Sequence, residues 1–200
     1  MPHTKYDDLR ARVRTLIAES VRPPVVAIGG HGGAGKSTLA LRLAADLGVH
    51  EDQVVGTDGL HARTDTAWAP MWDLHDWPAL IDLLTRVRRA PTPRRLSYRY
   101  RWYDGQEGDV DEPMPLVVIV EGIRVIRPEL LPLFDLAVWI DLDPGIAAER
   151  AKARNLAQGD SAAELELWDT KWVPEGVEYQ RLVRPEELAH VVVRAGGIAD

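Results

Sequence analysis

The chain has 200 residues, with 24 lysines and arginines against 31 aspartates and glutamates, a net charge of −7, and no cysteine. That length bounds it to one compact domain, or one with a small insertion. The missing cysteines exclude disulfide scaffolds, thiolate-ligated metals, iron–sulfur clusters and thiol nucleophiles, and they suit a reducing compartment. With 46% hydrophobic and 28% charged residues the chain can build a core, whereas disorder would need fewer apolar residues. Its net negative charge disfavours indiscriminate binding to nucleic acid but leaves small anionic ligands open. The longest aliphatic run, Leu116 to Val120, is too short to cross a bilayer, and Asp7 and Asp8 stand where a secretory segment would be apolar. A cytoplasmic protein without membrane association is expected.

Leu9, Val13, Leu16 and Ile17 share one helical face, so the spacing predicts an outer amphipathic helix over Tyr6 to Ser20, stopped by Pro23 and Pro24. Val25 to Ile28 reads as a strand buried on both faces and leads into the glycine-rich stretch Gly29 to Gly35. A helix follows, with Leu39, Leu43 and Leu47 at four-residue intervals and Gly48 placed to end it. A short strand over Gln53 to Gly56 precedes an irregular segment from Thr57 to Asp76, long enough to be functional. Asp76 then caps a helix carrying Leu80, Leu83, Leu84 and Val87.

Leu96, Tyr98, Tyr100 and Trp102 alternate with Ser97, Arg99 and Arg101 before Asp104-Gly105, which predicts a β-hairpin arm. Leu116 to Val120 is a second doubly buried strand, Pro128 to Leu133 a short helix, and Ala137 to Leu142 a strand. Asp143-Pro144 is an N-cap followed by an N1 proline. The capping-box spacing of Ser161 and Glu164 predicts a helix over Ala162 to Trp172, and Val191 to Val193 offers a last strand. Strands alternating with helices imply a largely parallel sheet, without internal repeats.

Gly30-His31-Gly32-Gly33-Ala34-Gly35-Lys36-Ser37 fits the pattern G-x-x-x-x-G-K-[ST], between a strand and a helix as its mechanism requires. Glycines let main-chain N–H groups approach phosphate oxygens, the helix N-terminus adds positive potential, Lys36 supplies a point charge and Ser37 offers a hydroxyl to Mg²⁺. Only four of the 24 basic residues are lysine, so Lys36 is not a product of composition; the site selects a compact ammonium over a planar guanidinium.

In an open parallel sheet the ligand lies beyond the carboxyl ends of the strands, where Asp58 and Glu121 stand. Glu121 suits Mg²⁺ or a metal-bound water, with a capping or loop carboxylate as the rival explanation. Asp58 suits the proton of an attacking hydroxyl, with a turn-forming Asp before Gly59 as its rival. Asp143 is explained as a cap, and Asp141 is discounted with it.

Gly30 to Thr38, Asp58-Gly59-Leu60-His61, Val118-Ile119-Val120-Glu121-Gly122 and Arg150 with Arg154 together resemble the uridine kinase-like branch of the P-loop kinases, over about Val25 to Val193. The resemblance implies a single domain with the three-layer P-loop NTPase fold: a five-stranded parallel sheet between helices, a β-hairpin arm and a helical lid. Residues of about 57–112 would bind the acceptor and those of about 150–175 would form the lid. It also implies phosphoryl transfer from ATP, with Mg²⁺, to a hydroxyl of a small molecule. Under it, Gly30 to Thr38, including Ala34, bind nucleotide; Ser37 and Glu121 hold the metal; Asp58 is the catalytic carboxylate. Lys36, Arg150 and Arg154 contact phosphates, and His61 falls beside the acceptor. The family's Asp-x-Phe-Tyr stands here as Asp58-Gly59-Leu60-His61, and its Pro-x-Tyr-Asp-Phe survives only as Trp102-Tyr103-Asp104-Gly105. Both departures fall in the acceptor pocket, where Trp102 and Tyr103 are expected.

Further signals carry rival explanations. The arginines of 86–101 interleave with aromatic residues as in nucleic-acid binding, but Asp104, Glu107, Asp109, Asp111 and Glu112 follow at once, and cross-strand pairing explains both. One or two of these arginines would otherwise hold an acidic acceptor. Trp68, Trp72, Trp77, Trp168 and Trp172 are either core or the wall of a ring-binding pocket. Asp73 is the better candidate for acceptor hydroxyls, since Asp76 serves as a cap. His75 lacks a partner at zinc-ligand spacing. Arg150 and Arg154 lie one turn apart and aim at one anion, or pair with Glu149 or Asp143. The segment Asn155 to Ser161, with Gly159 and polar residues, is where a mobile lid is expected. The expected partner is a small hydroxylated molecule, with no nucleic acid and no membrane; a homo-oligomer is left open. The alternative function is a nucleotide-hydrolysing regulatory or assembly ATPase.

Overall fold

A computed structural model describes residues 3–62, 70–89, 91, 93–102 and 104–197. Along the chain, α1 (Tyr6–Glu19) leads to β1 (Val25–Gly29), α2 (Lys36–Leu47), β2 (Val55–Gly56) and α3 (Trp77–Arg88). The strand pair β3 (Arg95–Arg101) and β4 (Glu107–Pro113) precedes β5 (Val118–Gly122) and β6 (Leu136–Asp141). Then come α4 (Pro144–Gln158), α5 (Ala162–Leu167), α6 (Val173–Val183), α7 (Pro185–Leu188) and β7 (Val191–Arg194).

Every residue of β1 and of β5 is buried, because a strand covered on both faces carries a continuous apolar run. The five strands form a parallel sheet in the order β2-β5-β1-β6-β7. Val26 and Ile28 face Leu9 and Val13 of α1 and Leu39 and Leu43 of α2. Val25, Ala27 and Trp139 face Leu80, Leu83 and Leu84 of α3 and Tyr179 of α6. Helices therefore cover both sides, as expected. The central neighbours β1 and β5 send their connections in opposite directions, to β2 and to β6. That divergence opens a crevice at their carboxyl ends, the place where doubly wound sheets bind ligands.

The hairpin arm forms a separate antiparallel pair from Arg95↔Pro113 to Arg101↔Glu107. Gly105 takes a left-handed φ of 84° in its turn, and Asp104 Oδ1 accepts from Gln106 N at 2.9 Å. Arg95 pairs with Asp111 at 2.7 Å, Arg99 with Asp109 at 3.5 Å and Arg101 with Glu107 at 3.9 Å, so the charges cancel across the strands.

Several boundaries differ from the sequence reading. The predicted strand over Gln53 to Gly56 shrinks to β2, because His50 and Gln53 form a reciprocal cap that winds Glu51–Gln53 into a 3-10 turn. The helix expected over Pro128 to Leu133 is only a 3-10 turn at Leu131–Leu133. The one expected to end at Trp172 continues to Val183 by way of a π-helical turn at Trp168–Trp172. Pro174 accounts for that turn: it has no N–H for the carbonyl one turn before it, and a widened turn relieves both the lost bond and the ring clash. Among the described residues no helix is long and apolar enough to cross a membrane.

Candidate active site

The crevice begins at the glycine-rich turn. Gly33 and Gly35 take φ values of 84° and 97°, left-handed conformations that successive residues with Cβ atoms would resist. They bend the main chain into a concave row of N–H groups at the head of α2, the arrangement that receives anions. A Cβ on Gly33 would also lie 2.0 Å from the carbonyl oxygen of Ala147 in α4. Lys36 is buried, and its Nζ donates to the His31 carbonyl at 3.0 Å, across the turn. The His31 ring packs edge-on to Trp139 and lies 2.9 Å from Gln180 Oε1 through Nε2. Burial pushes its imidazole down, with the Lys36 charge adding to that and Gln180 opposing it.

At the first turn of α2, Ser37 Oγ donates to Glu121 Oε1 at 3.0 Å. Burial pushes the Glu121 carboxyl up; Lys36 and the Ser37 hydroxyl oppose the shift and Asp58 reinforces it, leaving the carboxyl above its ordinary range. A buried carboxylate beside a hydroxyl is an oxygen-only donor set that suits a hard cation. Among the described residues no group of three or more His, Asp or Glu could hold a metal alone. A cation here would keep part of its water and lean on phosphate oxygens, as Mg²⁺ does, so the residues fit the expected ion.

Asp58 lies in a 3-10 turn, Thr57–Gly59, directly after β2. The Thr57 side chain is buried against the end of β5, where a Cβ on Gly122 would fall 1.7 Å from Thr57 Oγ1. The Asp58 side chain is 66% exposed and its Oδ1 lies 3.9 Å from His75 Nε2. Desolvation by the surrounding protein pushes its carboxyl up, but His75, Lys36 and His61 outweigh it and hold the carboxyl below its ordinary value. Leu60 bridges to Arg101 and His61 N donates to the Arg101 carbonyl at 3.0 Å, which stitches this segment to the hairpin.

A cleft of about 440 Å³ opens beside these groups. Ser37, Glu121, Gly56 and Gly59 line it on the sheet side, and Tyr98, Tyr100 and Trp102 form the hairpin wall. Trp102 lines the cleft, while Asp73 is exposed and not among its walls. Tyr103 and Trp68 lie outside the described residues. Tyr98 and Tyr100 were legible only as hairpin residues; their alternation with arginine was the signal that one face is a wall. Trp72 and Trp77 pack into the core around Arg127, the first of the two explanations given above.

Ala147, Arg150, Ala151 and Arg154 share one face of α4, the face whose Ala147 touches Gly33. Both arginines are exposed, and Arg154 donates to Asn155 Oδ1. Asp143 caps α4 through Gly145 N and Ile146 N. On the far side, the Trp168 indole lies where a Cβ on Gly32 would fall, 2.7 Å from Cζ3, and Gly176 leaves space for the His31 ring. Nothing local in the sequence places the π-helical turn and α6 against the glycine-rich loop.

No protein-family model matches the chain. It is 24% identical over 190 residues to the uridine kinase of Limosilactobacillus reuteri (strain DSM 20016), covering 90% of this chain and 87% of that protein. Among solved structures, a provisionally assigned fructose transport system kinase from Silicibacter sp. TM1040 superposes with a TM-score of 0.66 at 19% identity, over 92% of this chain and 98% of that one. The D-glycerate 3-kinase of Cryptococcus neoformans var. grubii superposes with a TM-score of 0.63 at 14% identity, over 96% of each chain. These likenesses agree with the fold expected from the sequence.

Proposed function

We propose that this chain, a small-molecule P-loop kinase of the uridine kinase-like type, moves the γ-phosphoryl group of ATP to a hydroxyl of an uncharged, ring-bearing acceptor, of which a nucleoside is the leading example. The observation that carries the reading is the cleft itself: it joins the Ser37–Glu121 pair to an aromatic wall. Main-chain amides of Gly30 to Thr38 and Lys36 hold the phosphates. Ser37 and Glu121 hold Mg²⁺, which supplies charge neutralisation at the phosphates when bound. Asp58 accepts the proton of the attacking hydroxyl, and its depressed carboxyl keeps it ionised for that task. Arg150 and Arg154 reach the phosphates from α4. Trp102 lines the acceptor side, with His61, Asp73 and Tyr103 as further candidates.

Charge argues for a neutral acceptor. Among the described residues the cleft walls carry Glu51 and Glu121 and aromatic rings and no cation; the arginines of β3 pair with acids of β4. An acidic acceptor such as glycerate would meet like charge there. Rings stack on tyrosine and tryptophan faces, and polar edges reach the carboxylates. The test is ADP release from Mg·ATP with uridine, cytidine, neutral sugars and D-glycerate as acceptors, with Lys36→Ala as control. Acceptor-dependent release with a nucleoside, lost in the control, is the expected result. Release that no acceptor accelerates identifies the hydrolase alternative, and turnover of D-glycerate alone overturns the charge argument.

A further inference from the structure

After the Asp58 turn, the segments 60–62 and 74–76 run against each other: Ala62 N donates to the Leu74 carbonyl at 3.1 Å and Asp76 N to the Leu60 carbonyl at 2.7 Å. Between those bonds the backbones of His61 and His75 form an antiparallel bridge. The clamp fixes the His75 ring between Trp77, at 4.9 Å between centroids, and His61, at 5.6 Å. Its side chain is only 1% exposed, and among the described residues neither ring nitrogen has a hydrogen-bond partner. A buried imidazole always carries at least one N–H, and leaving it unsatisfied is costly. The Trp77 indole is no partner for it, because Trp77 Nε1 donates to the Trp72 carbonyl at 2.8 Å.

What His75 Nε2 does face is Asp58 Oδ1, 3.9 Å away, about 1 Å beyond a hydrogen bond. The ring is clamped and the carboxylate is two-thirds exposed, so it is the carboxylate that can close the gap. Resting on the kinase reading above, we propose that His75 is a positioning residue for phosphoryl transfer: its Nε2–H donates to Asp58 and fixes which carboxylate oxygen meets the acceptor hydroxyl. In the transfer the acceptor oxygen bonds to the γ-phosphorus as the bond to the β-bridging oxygen breaks. The hydroxyl proton passes to the free oxygen of Asp58, and His75 keeps its own proton throughout. Lys36 and Glu121 also act on Asp58 through charge, and neither supplies the directed donor that His75 does.

Two measurements test this. The first needs no acceptor: ¹⁵N spectra of histidine-labelled protein, with the His75 signals assigned from His75→Gln, report the tautomer and hydrogen bonding of each ring. The proposal expects an Nε2–H tautomer whose Nε2 signal moves on Asp58→Asn; an Nδ1–H ring, or a signal indifferent to Asp58, overturns it. The second is turnover of uridine with saturating Mg·ATP. His75→Phe keeps the ring volume and should lower kcat by about 100-fold, leaving the KM for ATP within a factor of about two, and His75→Gln should restore part of the loss. A folded His75→Phe enzyme with wild-type kcat refutes the proposal, and so does a loss that tracks lowered thermal stability without rescue by Gln. If the wild-type protein ignores uridine, the acceptor reading fails, and the spectra still decide the role of His75.

Discussion

Two carboxylates share the field of Lys36 and are driven in opposite directions, Glu121 up and Asp58 down. Desolvation pushes both up; at Glu121 it prevails, while at Asp58 His75, Lys36 and His61 outweigh it. The sign of each contribution to stability follows. Because the Glu121 carboxyl is raised above its ordinary 4.5, its stabilising contribution is present below that value and lost as pH rises through the higher folded one. The Asp58 carboxyl is lowered from 3.8, so its contribution is present above that value and lost as pH falls through the lower folded one. Once ionised, the Glu121 carboxylate is therefore a burden on the ligand-free fold. Glu121→Gln should raise the ligand-free thermal midpoint at pH 8 by roughly 2–4 °C, and the gain should vanish below about pH 4. The same variant should lose kinase activity by about 100-fold. Thermal melts at the two pH values, with a rate assay beside them, check both; an unchanged midpoint at pH 8 would mean that Glu121 is not strained by burial.

Among the elements, α4 is the one whose face presses on the phosphate loop and also carries two arginines. Arg150 and Arg154 are exposed, so truncating them removes little packing. Arg150→Ala and Arg154→Ala should each lower kcat by about 10- to 100-fold while leaving the thermal midpoint within about 1 °C. Wild-type kcat in both would return them to the surface role that the sequence also allowed. The helix and strand that bracket the loop were legible because each has a strong local signal: the continuous run Val25 to Ile28, the glycines, and Leu39, Leu43 and Leu47. The hairpin was legible for the same reason, through strict alternation. The order of the parallel sheet was not, since crossovers, rather than local pattern, decide which strands become neighbours. The π-helical turn was missed because Ser161 and Glu164 signal only where a helix starts. His31 and Gln180 meet across 149 residues, and no periodicity reports such a contact. His75 was weighed only as a zinc ligand because its neighbour His61 is 14 positions away in sequence; the backbone bridge brings them together.

For the whole molecule, the segment before α3 and the helix α6 need to stay in register, and Arg124 is placed to hold them. It follows β5 by two residues and has a left-handed φ of 61°, a conformation that a non-glycine residue keeps only when its surroundings insist. Its side chain is 2% exposed. Nη1 donates to the Met71 carbonyl at 2.8 Å, in the segment before α3. Nη2 donates to Glu175 Oε2 at 2.7 Å on α6, one residue before Gly176, which makes room for His31. Burial pushes the guanidinium down, against the pull of Glu175, so the pair is worth less than its geometry suggests, while losing one partner is expensive. Lys171 also pairs with Glu175, at 3.2 Å, and would shield part of the charge left behind. Arg124→Ala should therefore destabilise the fold by about 3 kcal/mol, the lower end for a broken buried pair. Arg124→Met combined with Glu175→Gln should recover more than half of that, because the uncompensated charge is gone and the volume is refilled. Urea unfolding of the single and double variants measures both. A double variant no more stable than Arg124→Ala would show that the bond to Met71, rather than the charge pair, holds the two sides together.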